Sequence, residues 1–403
     1  MKEKKGKKII AMVLTALLMV SGIDVSGGSV VKAAEETNEI TVAENAPQTL
    51  DIWLDGNNKS EDIIVEGKLQ DDGNSENENT IYQGAGWYYD SVKNQLVLEN
   101  VQSIRSISCE NGDLSLLLSG ENTLSGYIDF CSDNGTNTLE INGEDHKGSL
   151  TGNGGIAVIN GGSASLNLNI TGATLKISDI DSRLSYGSLK IENSHVVCKV
   201  ESGCAIKGNE VSIIDSYVEA KTGKNGDKAI YTNQKISVSG SQMVAVHSGA
   251  DNESDVLSDC DFNNSVITKQ WKDSDTSADV TKTYVYGTAA LKENLKIASG
   301  ESIDFVSGAS ITNPDKLTLE DGAKILVDGA EHTHNTDGDI IYTWKDSNEH
   351  IKEMACKDCP IGYVTEETEA HKIGENGFCA CDKAYQPAEL ATDKYDMDQD
   401  GVY

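Results

Sequence analysis

The chain has 403 residues, and 65 Asp and Glu against 33 Lys and Arg give it a formal net charge of −32 at pH 7. So acidic a surface repels phosphate backbones and other polyanions, which argues against a nucleic-acid-binding protein. Nine cysteines are an odd number for an exported chain, so they cannot all pair with one another.

Residues 1–33 have the pattern of a secretory signal peptide. Five lysines in the first eight residues precede an apolar run at 9–20, and small residues lead to a cleavage position after Ala33. The apolar run is too short for a membrane-spanning helix, and no second run follows it. The sequence therefore predicts an extracellular or cell-surface protein of the Gram-positive type, with no transmembrane segment in the mature chain. Cleavage leaves 27 basic and 63 acidic residues, a net charge of −36.

Residues 34–93 are predicted to form an acidic lead-in and an N-terminal cap. The first part is polar without periodicity, and short strands are expected at 50–54 and 62–65. The region that follows predicts a stack of strands, whose first edge would need a cover. The two short strands are therefore interpreted as that cover.

Residues 94–330 repeat one pattern ten times: an apolar residue, any residue, a second apolar residue, any residue, and then Asn, Asp, Gly or Ser. The second apolar positions are Leu98, Leu118, Ile141, Ile170, Ile191, Ile213, Val238, Phe262, Ile297 and Leu319. Apolar residues two apart face the same side of a strand, and the residue after them tolerates a tight corner. A strand that bends and recurs about every 20–25 residues predicts a β-solenoid of about ten coils. An antiparallel sandwich would instead show paired hairpin signals.

The first coil resembles a known family. Gly86-Trp87-Tyr88-Tyr89-Asp90, followed by Leu96-Val97-Leu98-Glu99-Asn100-Val101, is similar to the "GxWxYD … LxLxNV" start of repeats in secreted Firmicute proteins. The resemblance covers roughly residues 87–329. It implies an all-β fold, a right-handed parallel β-helix of polysaccharide-lyase-like shape, in a surface protein of the carbohydrate-binding type.

The interval from Phe262 to Ile297 is the longest, at 35 residues, and contains Trp271, Tyr284 and Tyr286. Aromatic faces stack on the C–H patches of sugar rings, so these residues are candidates for glycan binding. Packing of an inserted loop against the solenoid and contact with another protein remain alternatives. Trp87 is a fourth candidate, with capping as its alternative.

Two cysteines of the predicted solenoid, Cys198 and Cys204, are close enough in sequence to form a disulfide, which is left open. The motifs of pectate-type lyases and polygalacturonase-type hydrolases are absent from the sequence, and Asp179 and Asp181 form only a local acidic pair. The sequence therefore favours a non-catalytic protein for glycan binding or adhesion, with a polysaccharide, a host or cell-wall glycan, or a surface protein as its partner. A lyase or hydrolase with an unrecognised site, or a structural spacer, remains an alternative.

Residues 331–388 form a Cys/His-rich module. Cys356 and Cys359 are followed by Cys379 and Cys381, and His350 or His371 could replace one of the cysteines. Four such ligands suit a structural, tetrahedral zinc ion in a segment too small to build a core, while two disulfides or unligated thiols remain alternatives. The segment is similar to small Cys/His repeats of Firmicute surface proteins, but its second pair is C-x-C where those repeats have C-x-x-C.

Residues 389–403 are a linker with an acidic end. Asp396, Asp398, Asp400 and Gly401 resemble the first half of a calcium loop. The distal Glu of such a loop would lie beyond Tyr403, so the sequence predicts at most weak calcium binding. It leaves open whether the natural chain continues.

Overall fold

A computed structural model describes residues 49–54, 61–63, 83–84, 86–90, 93–102, 104–133, 135–143, 147–160, 165–182, 187–334, 338–346, 348–356, 358–362, 364–372 and 378–381. The predicted signal peptide, the polar lead-in and the calcium-loop-like end lie outside these residues. Within them the fold is all-β, with two short 3₁₀ helices at Glu253–Asp255 and Pro314–Lys316.

The strands are numbered in chain order. The first twelve are β1 (Thr49–Leu54), β2 (Glu61–Ile63), β3 (Gln83–Gly84), β4 (Trp87–Asp90), β5 (Gln95–Glu99), β6 (Ile104–Glu110), β7 (Leu114–Ser119), β8 (Glu121–Thr123), β9 (Tyr127–Ser132), β10 (Thr136–Gly143), β11 (Ser149–Thr151) and β12 (Gly155–Asn160). The next thirteen are β13 (Ser165–Thr171), β14 (Thr174–Ile177), β15 (Ile180–Ser182), β16 (Ser188–Glu192), β17 (His195–Gly203), β18 (Ile206–Gly208), β19 (Glu210–Ile214), β20 (Tyr217–Gly226), β21 (Ile230–Thr232), β22 (Ile236–Ser239), β23 (Gln242–His247), β24 (Cys260–Asn263) and β25 (Ser265–Lys272). The last nine are β26 (Asp279–Ala289), β27 (Leu295–Ile297), β28 (Ser302–Ile311), β29 (Leu317–Leu319), β30 (Lys324–Val327), β31 (Ala330–Glu331), β32 (Ile340–Trp344), β33 (Glu349–Ala355) and β34 (Val364–Ala370).

These strands build a parallel β-solenoid of about nine turns, which confirms the predicted fold class. Three sheets form its faces: sheet A runs from β2 to β21, sheet B from β24 to β3, and sheet C from β31 to β8. All ten predicted apolar pairs lie on strands, eight of them in sheet B. The last two lie on β27 and β29, which pair only with each other among the described strands.

The inward side chains form ladders from coil to coil. Ile141, Ile170, Ile191 and Ile213 pair in register across sheet B, and each is fully buried. One register differs from the predicted one, because Ile141 pairs with Leu116 where the pattern would place Leu118. Since the shift is two residues, every side chain of β10 keeps its inward or outward direction.

The corner after each sheet-B strand is tight. The predicted corner residues adopt a left-handed backbone at seven of ten positions: Asn100, Gly120, Gly172, Asn193, Asp215, Gly240 and Asn264, with φ between 47° and 64°. Asn, Asp and Gly are the residues that tolerate this conformation at low cost. Their recurrence in the sequence therefore has a direct backbone cause.

A buried serine follows the corner in four successive coils: Ser194, Ser216, Ser241 and Ser265. Each hydroxyl accepts a hydrogen bond from the backbone N–H of the preceding coil, at 3.0 to 3.2 Å. Each also donates to a carbonyl two residues earlier in its own coil. This serine ladder provides hydrogen-bond acceptors for backbone N–H groups at the corners, between the strands of the sheets.

At the N-terminal end, β1 lies antiparallel against β6, and β4 lies antiparallel against β5. Leu50, Ile52, Trp87 and Tyr89 enter the same core as the coils. These strands thus cover the first edges of sheets A and B.

The 35-residue interval differs from the prediction of an inserted loop. β25 and β26 form an antiparallel hairpin, after which β28 and β30 continue parallel to β26. The chain direction in sheet C therefore reverses at this hairpin. A second hydrophobic core, which includes Val285, Ile303 and Phe305, follows the reversal. A hairpin reverses direction through local pairing, which a pattern of isolated apolar pairs cannot signal.

Candidate functional site

The C-terminal module is a three-stranded antiparallel sheet of β32, β33 and β34. Eight Cys and His side chains surround it and fall into two groups of four, each of which could hold a metal ion. Site 1 is His332, His334, Cys356 and Cys359. Site 2 is His350, His371, Cys379 and Cys381. Within each site, all four ligand atoms lie within 4.8 Å of one another.

Site 1 joins two distant parts of the chain. His332 and His334 follow β31, while Cys356 and Cys359 follow β33. The Cys356 Sγ lies 3.5 Å from the His332 Nε2, and the Cys359 Sγ lies 3.6 Å from the His334 Nδ1.

Site 2 lies at the opposite end of β33. His350 is the second residue of that strand, and His371 directly follows β34. Their Nδ1 atoms are 3.4 Å apart, and the Cys379 Sγ lies 3.2 Å from the first and 3.3 Å from the second. The Cys381 Sγ lies 3.7 Å from the His371 Nδ1.

These separations are those of ligands around a tetrahedral cation. With Zn–S bonds of about 2.3 Å and Zn–N bonds of about 2.05 Å, a tetrahedral ion holds S and N about 3.6 Å apart and two nitrogens about 3.4 Å apart. The separations of 3.2 to 3.7 Å agree with these values. Both sites therefore have the donor set and the spacing of a closed, four-coordinate metal centre.

The surroundings of site 2 orient its ligands. The His371 Nε2 lies 2.8 Å from the carbonyl oxygen of Asp346. Since a carbonyl can only accept, Nε2 carries the proton and donates it, and the unprotonated Nδ1 faces the cysteines. The His350 Nε2 lies 3.8 Å from a Glu369 carboxylate oxygen. Burial opposes ionisation of Cys379, but a backbone N–H of Cys381 and the His371 ring lower the pKa of that thiol to about 6. A thiolate is the form that binds a metal.

Among the described residues of the module, few apolar side chains are buried. Ile340 is 49% exposed and Ile341 57% exposed, whereas Cys356, Cys379, Cys381 and His350 are buried. Trp344 stacks on the His371 ring at 4.6 Å, and Tyr342 contacts the His350 ring edge-to-face at 5.1 Å. Three of the four cysteines and His350 are thus the buried side chains of this module, with Trp344 and Tyr342 packed against its histidines.

The expected metal ligands Cys356, Cys359, Cys379, Cys381, His350 and His371 all lie in the two sites. The structure does not gather the four cysteines around one ion, however, but divides the two pairs. Site 1 is completed by His332 and His334, which the predicted ligand set omits. The H-x-H spacing of His332 and His334 was the feature of the sequence that could have indicated them. In the fold, candidate ligands lie at both ends of β33.

All nine cysteines lie in described residues, and none of them forms a disulfide. The disulfide considered for Cys198 and Cys204 is therefore not present. Cys198 is fully buried in the solenoid core, and burial raises the pKa of its thiol. A protonated, buried thiol behaves as a small apolar side chain.

Of the four aromatic candidates for glycan binding, Trp87 lies on β4, whereas Trp271, Tyr284 and Tyr286 lie on the hairpin of β25 and β26. Trp87 is 2% exposed in the first core, and Trp271 is 7% exposed, with the Lys282 ammonium 5.6 Å from its ring centre. Tyr286 stacks on Phe262 at 4.7 Å, and the Tyr284 hydroxyl donates to Glu253 at 2.9 Å. Both tryptophans are buried, which favours the packing and capping alternatives for their rings.

A different surface is open to a ligand. A cavity of about 500 Å³ lies at the corner where sheet C passes into sheet A. A second cavity of about 490 Å³ lies at the same corner of the following coils. Residues 199–202 line the first cavity and Cys204 lines the second. The two cavities therefore adjoin the same coil, and together they are called the corner groove.

The corner groove carries an aromatic ring and mixed charges. Tyr127 is 43% exposed, and its hydroxyl donates to Asp179 at 3.5 Å. Glu201 lines the first cavity, and Lys207, above the Tyr231 ring at 5.9 Å, lines the second. This surface could not be predicted from the sequence, because the corner loops vary in length and only the stacking of the coils aligns them.

Within the described residues, no helix is long and apolar enough to span a membrane. No protein-family model, curated protein or solved structure matches the chain.

Proposed function

We propose that this protein is an extracellular, non-catalytic β-solenoid that binds a neutral polysaccharide in the corner groove. The signal-peptide pattern of residues 1–33 supports export. The observation that carries the proposal is the alignment of two open cavities, each with charged side chains in its lining, along one corner of the solenoid. A groove that spans several coils suits an elongated polymer.

The groove has the chemistry that sugars require. The exposed ring of Tyr127 offers an apolar face for C–H stacking, while Asp179 and Glu201 offer acceptors for hydroxyl groups. Lys199 in the first cavity and Lys207 in the second balance part of this negative charge. The net charge of −32 disfavours a polyanionic glycan, so a neutral one is proposed.

We also propose that the resident metal is zinc and that its role is structural. Two thiolates and two imidazoles in tetrahedral spacing suit Zn²⁺, and four protein ligands leave no position for a catalytic water.

The test is retention of the full exported chain on a panel of insoluble neutral polysaccharides. We expect retention on one polymer class, weakened about tenfold in Tyr127→Ala, because loss of a stacking ring costs about 1 kcal/mol or somewhat more. Tyr88→Ala is the matched control, since Tyr88 is equally exposed, at 48%, but lies on β4, in sheet B. No retention on any polymer, or equal loss in both variants, would contradict the proposal and favour a spacer or a protein-binding rod.

One observation favours a second candidate, a polysaccharide hydrolase or lyase. Asp179 and Glu201 lie on neighbouring coils beside the same groove, and paired carboxylates are the groups that cleave glycosidic bonds. Incubation with the retained polymer tests this candidate. Release of soluble oligosaccharides by the wild type but not by Glu201→Gln would establish it. An intact polymer would contradict cleavage and leave binding as the only proposed function.

A further inference from the structure

We propose that the two Cys/His sites hold two separate zinc ions with different tasks: the site 1 ion fastens the module to the end of the solenoid, and the site 2 ion holds the module itself together. This inference goes beyond the polysaccharide-binding function and does not depend on the corner groove.

Two ions are required because the sites lie at opposite ends of one strand. His350 and Cys356 are separated by the length of β33, which is about 20 Å at 3.3–3.4 Å per residue. No single ion can bridge that distance. Each site has four ligand atoms of its own, so each is complete without the other.

Site 1 links the solenoid to the module. β31, the last strand of sheet C, pairs antiparallel with β30, and the His332 N–H donates to the carbonyl of Ile325 in β30 at 2.8 Å. The two histidines of site 1 are thereby fixed to the end of the solenoid. The two cysteines follow β33 of the module, so an ion at site 1 cross-links the two parts.

The loop that carries these cysteines also covers the solenoid end. The Ile311 N–H of β28 donates to the carbonyl of Pro360 at 3.3 Å. The next residue, Ile361, packs against the second hydrophobic core. Fastening residues 356–362 by a metal therefore keeps an apolar contact over the last coils, where an uncovered edge would invite association.

Site 2 makes no such link. Its histidines lie at the N-terminal end of β33 and just after β34, and its cysteines follow at 379 and 381. The Trp344 of β32 stacks on His371, so all three strands of the module's sheet meet around this site. Its ion would hold the sheet closed and would fix the last described residues against it.

The experiment uses the full exported chain and compares two double variants, His332→Ala/His334→Ala for site 1 and His350→Ala/His371→Ala for site 2. We expect two zinc ions per wild-type chain and one per chain in each variant, measured by elemental analysis. Cobalt substitution should give tetrahedral thiolate spectra whose intensity falls by about half in each variant. The solenoid, whose core is separate, gives an internal control for folding by its far-UV circular dichroism.

Limited proteolysis separates the two tasks. The site 1 variant should be cut between residues 331 and 340 and release a module fragment that still holds one ion. The site 2 variant should lose the module to degradation up to β31 while the solenoid fragment persists. The inference would be overturned by a single ion per wild-type chain, by a metal-free wild-type chain whose four module cysteines form disulfides, or by identical digestion of the two variants. None of these results depends on whether a polysaccharide is bound.

Discussion

The solenoid and the Cys/His module are both built of strands, yet different forces hold them together. In the solenoid, inward residues such as Ile170, Ile191 and Ile213 are fully buried, and burial of each contributes about 1.5–3 kcal/mol before entropy is subtracted. In the module, Ile340 and Ile341 are exposed, and the buried side chains are chiefly cysteines and a histidine. With zinc bound as proposed, one chain would combine a region stabilised by apolar ladders with a region stabilised by ligand bonds.

Metal removal should have the largest effect and should act on the module alone. Structural zinc contributes about 10–16 kcal/mol to the folding of small metal-dependent domains at pH 7. We therefore expect a strong chelator, with a reductant present, to abolish hydrogen-exchange protection in β32–β34 and to leave β13, β16 and β19 unchanged. Restored zinc should restore the protection, whereas restored calcium should not. Loss of protection in both regions together would show that the module and the solenoid unfold as one unit.

A charge inside the solenoid should have the next largest effect, and it should destabilise the solenoid and not the module. Ile191→Asp places a carboxylate in a fully buried ladder, which we expect to destabilise the fold by at least about 4 kcal/mol. Chemical denaturation followed by far-UV circular dichroism measures this loss. Ser212→Asp adds the same charge at a half-buried, outward position of the adjacent strand and should cost less than about 1 kcal/mol. Similar losses in both variants would mean that added charge, and not burial, is responsible.

The serine ladder should contribute less, and locally. Ser216→Ala leaves the buried backbone N–H of Ser194 without its acceptor, which should cost about 1–3 kcal/mol. Ser212→Ala on the same coil, which has an outward side chain, is the matched control. Denaturant midpoints measured on both variants check the difference. A Ser216→Ala variant as stable as its control would show that water replaces the hydroxyl.

The repeating part of the fold could be predicted because its physical causes recur in the sequence. Apolar residues two apart mark inward positions, and Asn193 or Asp215 marks a corner with positive φ. The reversal at β25 and β26 could not be predicted, since a hairpin between two strands of a long interval depends on pairing that occurs once. The register shift between β7 and β10 was hidden for a related reason, because Leu114, Leu116 and Leu118 are equally suitable inward residues.

The candidate sites were predictable to different extents. Residue type and close spacing identified the cysteines as candidate ligands, but which of them could share an ion depends on the length of β33. The importance of Trp271 was inferred from its ring alone, whereas its burial depends on the hairpin around it. The corner groove is formed by loops of six coils, and its shape arises only when those coils stack.

The reversal hairpin offers the smallest and most specific test, because an acidic residue ties it to the coil before it. Glu253 accepts from the Lys269 ammonium at 3.1 Å and from the Tyr284 hydroxyl at 2.9 Å, one residue from each hairpin strand. Burial opposes ionisation, but these partners lower the pKa of the Glu253 carboxyl below its usual value of 4.5. A lowered pKa in the folded state means that the stabilisation is present above pH 4.5 and is lost as the pH falls through the folded pKa.

Glu253→Gln should therefore lower the Tm at neutral pH by roughly 1–3 °C, and the difference from wild type should vanish well below pH 4.5. Glu210→Gln, at an exposed position of β19, is the control and should match wild type at every pH. The comparison matters because many other carboxylates titrate in the same range and affect all three proteins alike. A Tm difference for Glu253→Gln that persists in acid would mean that the side chain stabilises the hairpin by packing and not by its charge.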